Sequence, residues 1–201
     1  AIHSDIIGRL EQFEACEGGY RALISYSDQS ATEEFAQFFN VVFGNSSLLP
    51  GITVERINLS EELLEWFPGP KFGVAGLRER LGAYDRPLAF TALKPMGLPT
   101  VALADEAYHC AKGGVDLIKD DHGLMNQTFS DYKDRVKAVC EAVRQGNEES
   151  GHHTAYVPNL SGRCDALMDR IRYAEDCGAG GIMLAPGLVG YDTMQYAARN
   201  T

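Results

Sequence analysis

The chain has 201 residues, 45% hydrophobic and 23% charged, the balance of an ordinary water-soluble globular protein of one large or two small domains. Its formal net charge of −10 argues against a general binder of nucleic acid or membrane surfaces. No run approaches the roughly 18 apolar residues of a membrane span, and the scattered cysteines form no CxxC pair, which sets the expectation of a reducing, cytoplasmic setting.

Residues 1–19 read as a polar, partly helical opening. Tyr20–Tyr26 has the composition of a strand. Ser30 opens SATE, a capping box with Glu33, ahead of Phe35, Phe38, Phe39 and Val42 at helical spacing. Ile52–Leu59 reads as a second strand with imperfect alternation, and Ser60–Trp66 as a short helix. These pieces suggest a small α+β domain. Phe67-Pro68-Gly69-Pro70 then breaks the chain, and the domain boundary is placed after residue 70. Val74–Leu81 follows as a helix whose basic face carries Arg78 and Arg80.

From Leu88 strands and helices alternate. LAFTAL is a near-continuous apolar strand ending at Lys94, and Leu103, Ala107 and Cys110 form the stripe of a helix stopped at Gly113-Gly114. Val115–Ile118 is the next strand. Thr128 or Ser130 caps the following helix, whose stripe is Val136, Val139, Cys140 and Val143. Thr154–Val157 forms a strand ending near Asn159, and Leu167, Ile171 and Ala174 mark a helix ended by Gly178. Gly181–Ala185 is a fourth strand, and a last helix begins around Asp192. Cys110, Cys140 and Cys164 sit in these patterns as small core residues. Strands apolar on both faces, alternating with helices, predict a parallel sheet covered by helices. Four such units are half of an eight-stranded barrel, which needs about 250 residues. The alternatives are an open sheet or a piece of a longer protein, and the end inside a helix favours the piece.

In either architecture the working face lies at the C-terminal ends of the strands. That face collects Lys94 from the first strand, Lys119, Asp121 and His122 from the second, and Asn159 from the third. Strand alternation points Leu117, Lys119 and Asp121 one way and Ile118 and Asp120 the other. Charges ending an apolar strand are costly unless they bind one another, a metal or a substrate. A Lys–Asp salt bridge that merely closes the strand is the plain alternative. Two lysines beside carboxylates suggest carbonyl chemistry, through either a Schiff-base lysine or a hard metal site. An ammonium has no lone pair for a metal, but a lysine amine that has taken up CO₂ becomes a carbamate, an oxygen ligand.

GGVDLIKDDHGLMNQTF (113–129), followed by SDYKDR, resembles the active-site strand and helix of ribulose-bisphosphate carboxylase (RuBisCO) large chains, which read GG-D-x-x-KDDE with NSQPF and WRDR behind. GPKFGVAGLRERLGAYDRPLAFTALKPMGL (69–98) resembles that family's entry to its barrel, GPxxGIxxxR…RPLxGTxxKPK. Together these cover about residues 67–140. The resemblance implies an α/β protein, with a small N-terminal α+β (ferredoxin-like) domain over 1–70. Residues 71–201 are then the first half of a (β/α)8 TIM barrel. It also implies that Lys119 is the carbamylated lysine, Asp121 a metal-binding carboxylate, and Lys94 the first active-site lysine, which contacts the reacting part of the substrate. Asn45, in VFGNSS, looks like the asparagine that one subunit lends to its neighbour's site in an obligate dimer.

Two positions depart from the family pattern. The second lysine of KPK is Met96, and the metal-binding glutamate of KDDE is His122. Methionine cannot stabilise developing negative charge, and imidazole is a less usual ligand for a hard cation. These departures argue against carboxylase activity and resemble the RuBisCO-like proteins (form IV), which enolise, isomerise or decarboxylate other sugar phosphates. The resemblance implies an Mg²⁺-dependent isomerase or enolase of a phosphorylated ketose, such as a methylthioribulose phosphate, acting through an enediolate. Lys119 and Asp121 then hold the metal, with His122 a further ligand, an acid/base or a cap of the strand; Lys94 and Lys119 are catalytic, Lys94 and Asn45 bind substrate, and Asn159 joins them from its strand-end position alone. A sugar-acid phosphate decarboxylase, a true ribulose-bisphosphate carboxylase, a Schiff-base aldolase and a non-catalytic relative are the alternatives. The expected partners are the sugar phosphate and further copies of the chain, as a homodimer or higher homo-oligomer.

Overall fold

The computed structural model describes residues 6–67 and 69–201. The chain divides into two compact units, Ala1–Pro70 and Lys71–Thr201.

In the first unit, strands β1 (Arg9–Cys16) and β2 (Gly19–Ser25) pair antiparallel. They turn at Gly18, whose φ of 85° lies in the left-handed region that glycine enters without a Cβ penalty. Phe13 and Tyr20 stack across the pair with centroids 5.1 Å apart. β1 replaces the expected partly helical opening, because cross-strand pairing outweighs the weak local preference of its glutamates and glutamine. Ser30 does not start a helix but closes a 3-10 turn (Asp28–Ser30), and α1 (Phe35–Phe43) begins at Phe35. Phe35, Phe39 and Phe43 stack one turn apart along α1, and Phe67 packs on Phe35 at 4.3 Å. The strand expected over 52–59 forms no ladder; Arg21 of β2 holds that segment by pairing with Glu55 at 2.8 Å. α2 (Glu61–Trp66) starts where Ser60 Oγ accepts the Leu63 N–H at 3.1 Å, with Glu61 and Glu62 favourably placed in its first turn.

The second unit opens with α3 (Gly73–Leu81). Arg78, in its last turn, donates to the carbonyls of Ala83, Tyr84 and Arg86 and so pins the entry to the sheet. Then come β3 (Phe90–Leu93), α4 (Thr100–Lys112), β4 (Leu117–Asp120), α5 (Tyr132–Ser150) and β5 (Ala155–Val157). Helices α6 (Leu167–Asp176), α7 (Pro186–Val189) and α8 (Tyr191–Arg199) complete the chain. The three strands form a parallel sheet in the order β3-β4-β5, with Leu93 beside Asp120 and Lys119 beside Val157. The fourth strand expected over 181–185 is reduced to one parallel bridge between Asn159 and Met183. α5 is capped by Asp131, whose Oδ1 accepts the Lys133 N–H at 2.9 Å, and not by Thr128 or Ser130. Ser130 Oγ instead pairs with Thr100 at 2.8 Å.

Leu93, Leu103, Ile118, Val136, Val139 and Ile171 are buried in one core shared by the sheet and helices α4, α5 and α6. Each such side chain contributes roughly 1.5–3 kcal/mol on leaving water. Cys140 belongs to this core, whereas Cys164 is exposed in a 3-10 turn ahead of the α6 stripe. α4 and α5 approach closely at Gly146, where a Cβ would come within 2.8 Å of the Tyr108 carbonyl oxygen. Among the described residues, no helix is long and apolar enough to cross a membrane.

At the opposite end of the sheet from its strand C-termini, Arg86 binds Asp116 through two contacts of 2.6 Å, and the Ala89 N–H donates to the same carboxylate at 2.7 Å. The Arg86 guanidinium holds the Asp116 carboxyl below its usual range, against the opposing push of burial. A depressed folded-state pKa gives stability that is present above the unfolded value and lost as pH falls through the folded one. Arg86→Gln is therefore expected to lower the urea midpoint near pH 7, with the gap to wild type closing below about pH 4. A gap that stays constant through the acid range contradicts this role.

Candidate active site

Because β3, β4 and β5 run parallel, Lys94, the Lys119–His122 run and Asn159 leave the sheet on the same side. The alternation along β4 is as expected: Ile118 and Asp120 are fully buried, while Leu117 and Lys119 are half-buried. Lys94 Nζ lies 3.1 Å from Asp121 Oδ1, and His122 Nδ1 lies 3.3 Å from the same oxygen. Lys94, Asp121 and His122 are thus brought together. Lys119 Nζ donates to the carbonyl of Asp120 at 3.0 Å, which holds the amine at the end of the same strand.

Asp121 is buried, and despite its two basic neighbours Oδ1 completes no hydrogen bond of good geometry. Burial pushes this carboxyl up, but the Lys94 ammonium outweighs burial, with help from His122, so it titrates below its usual range. Met96 borders the carboxylate: a Cβ at Gly123 would lie 3.1 Å from Met96 Sδ and 3.7 Å from Asp121 Oδ2. Met96 is exposed, so a flexible thioether stands at the mouth of the site where the family pattern has a lysine.

Asn159 is placed beneath the site and not in it. It is 1% exposed, Nδ2 donates to the His122 carbonyl at 3.0 Å, and Oδ1 accepts the Ser161 N–H at 3.0 Å. Both ends of its amide thus brace the strand end. Asn126 Oδ1 accepts the Tyr132 N–H, while Gln127 bridges the Met125 N–H and the Gly123 carbonyl, so both brace the loop. Asn45 stands in the first unit, at a left-handed φ of 44° that asparagine tolerates better than most residues, and opens a 3-10 turn (Asn45–Leu48).

Sequence reasoning passed over Asp120, Arg135 and Tyr156, which form a buried polar group under the strand ends. One signal was available: Arg135 falls four residues before Val139, within the apolar stripe of α5. A charge at such a position requires a partner. Among the described residues, no three His, Cys, Asp or Glu side chains converge as a ready-made metal site.

The fold and strand-end cluster define an α/β protein with a polar site on the C-terminal face of a parallel sheet. A family profile, ribulose bisphosphate carboxylase large chain, catalytic domain, matches residues 73–201, and the chain belongs to this family. It is 40% identical to a 5-methylthioribulose-1-phosphate isomerase from Rhodospirillum rubrum over 99% of this chain and 54% of that protein. It is 31% identical to a 2,3-diketo-5-methylthiopentyl-1-phosphate enolase from Bacillus pumilus, over 94% and 48% of the two chains. A crystal structure of a Rubisco-like protein from Rhodopseudomonas palustris superposes with a TM-score of 0.90 at 39% identity, covering 100% of this chain and 58% of the other. The dimeric archaeal Rubisco from Hyperthermus butylicus gives a TM-score of 0.90 at 26% identity, over 100% and 48%. The chain thus spans about half the length of the relatives it matches.

Lys94→Met is expected to raise the Asp121 pKa, because the attraction that outweighs burial is removed. A metal-free ¹³C NMR titration of the Asp121 carboxyl reads this directly. An unmoved or lowered midpoint contradicts the electrostatic account of the pair.

Proposed function

We propose that this chain is the site-bearing part of an enzyme that enolises or isomerises a phosphorylated ketose, of the methylthioribulose-phosphate type, through an enediolate. The observation that carries the reading is the buried Asp121 carboxylate, set between Lys94 and His122 at the ends of parallel strands. Two features support it: the names of the relatives in each of which the match spans about half the protein, and the replacement of the family's second lysine by Met96. Residues 1–70 are then part of a ferredoxin-like domain, and 71–201 the first half of a (β/α)8 barrel. The exposed edge strand β3 and the isolated Asn159–Met183 bridge are consistent with a sheet that continues.

The residues fit Mg²⁺ in a limited way. Asp121 would offer a carboxylate oxygen, and Lys119, if carboxylated by CO₂ to a carbamate, would offer a second. Mg²⁺ is commonly held by one or two carboxylates, with its other positions left to water and substrate. His122 takes the third position, although an imidazole suits this cation less well. When bound, the ion supplies Lewis-acid stabilisation of the negative charge that develops beside the carbonyl. Lys94 orients the substrate's reacting end, and its ammonium adds positive charge there. Met96 adds none. A proton leaves the hydroxyl-bearing carbon next to the carbonyl and returns to the former carbonyl carbon, while the hydroxyl proton passes from one oxygen to the other, so isomerisation balances without a co-reactant. Asn45 is assigned to the site of a neighbouring subunit in a homodimer or larger assembly.

The test uses the full-length protein with ¹³C-labelled bicarbonate and Mg²⁺. A carbamate signal is expected that is lost in Lys119→Ala, together with a fall in kcat of about 10²–10⁴-fold on the ketose phosphate. A folded wild-type protein that turns over substrate with no carbamate signal removes Lys119 from the metal site. A protein that binds the ketose phosphate and never exchanges its α-proton overturns the reading.

A further inference from the structure

Asp120 and Arg135 are both withdrawn completely from solvent, and Tyr156 is 2% exposed. Asp120 Oδ1 accepts the Tyr156 hydroxyl at 2.7 Å. Oδ2 accepts Arg135 Nε at 3.2 Å and the Asn159 N–H at 2.9 Å. The donors come from three places: α5, β5 and the segment after β5. The remaining arms of Arg135 donate to the carbonyls of Met125 at 2.7 Å and Ser130 at 3.0 Å, both in the loop that follows the site. Asn159 carries the connection on to the His122 carbonyl. Burial pushes the Tyr156 phenol well up, so it remains a donor at neutral pH.

A buried ion pair is a poor way to gain stability, since desolvating both charges offsets their attraction and apolar replacements often do as well. This one is used differently. Arg135 binds two carbonyls of the loop that follows Lys119, Asp121 and His122, and Asp120 ties β4 to β5 and to the segment after it, while the network itself is closed to a ligand. We propose that the Asp120–Arg135–Tyr156 network is a positioning device that holds the end of β4 and the 121–131 loop, and so presents Lys119, Asp121 and His122 in one arrangement. Asp120, Arg135 and Tyr156 are positioning residues and not catalytic ones. The catalytic consequence rests on the function proposed above; the mechanical one does not.

Tyr156→Phe removes one donor and leaves the ring and the ion pair in place. In the full-length protein it is expected to speed amide hydrogen exchange across 121–131 about tenfold, with α4 unchanged. It is also expected to weaken Mg²⁺-dependent carbamate formation on Lys119, and kcat, by about 10–100-fold with KM nearly constant, the usual range for groups that orient ligands from behind. Ile118→Val, a buried neighbour on β4 with no polar contact, controls for lost packing alone and is expected to leave kcat and loop exchange unchanged. Should Tyr156→Phe not fold, Asn159→Ser, which cuts the link to the His122 carbonyl, serves the same readouts. Unchanged loop exchange in the variant, or equal losses in Ile118→Val, overturns the network. A wild-type protein without carbamate or turnover fails the proposed function instead, and exchange alone then decides the network.

Discussion

One carboxylate at the end of the central strand, Asp120, accepts from an arginine, a tyrosine and a main-chain amide where no water reaches. In a parallel sheet the strand ends are where helices and loops diverge, and nothing in the ladder itself fixes the chain beyond them. Here a charged pair supplies that fixture. Arg135 can bury its guanidinium only because Asp120, Met125 and Ser130 together take its donors. The same satisfaction ties α5 to β4 and shapes the loop between them. Period-two alternation then sends Lys119 to the other side of the strand from Asp120. One strand end thus supplies both the anchor and the working groups.

Much of this was legible in the residues. The alternation in LIKDD separates the inward Asp120 from the site-facing Lys119, and the apolar stripes of α4, α5 and α6 appear where their spacing puts them. The juxtaposition of Lys94 with Asp121 follows from parallel neighbours of matched register. Other features depended on partners distant in the chain. β1 is a strand because β2 returns beside it, whereas residues 52–59 find no ladder partner among the described residues. Asn159 lies just beyond its strand on the working side as expected, and its amide is buried against the His122 carbonyl and the Ser161 N–H. A strand-end position could not reveal that.

The family membership and the two departures from its motif bear on different questions. Membership accounts for the parallel sheet and the lysines and carboxylate at its ends. Met96 and His122 bear on chemistry: one withdraws a positive charge from the mouth of the site, and the other replaces a hard oxygen donor with an imidazole. Both changes leave Lys94 and Asp121 paired.

Under the proposed function, this site removes and returns a proton beside a ketose-phosphate carbonyl. Incubating the full-length protein with 5-methylthioribulose 1-phosphate in D₂O and following the substrate carbons by NMR tests it directly. The account predicts enzyme-dependent deuterium at the carbon next to the carbonyl, lost when Lys94 is replaced by methionine. Turnover or tight binding with no deuterium entering that carbon would contradict it.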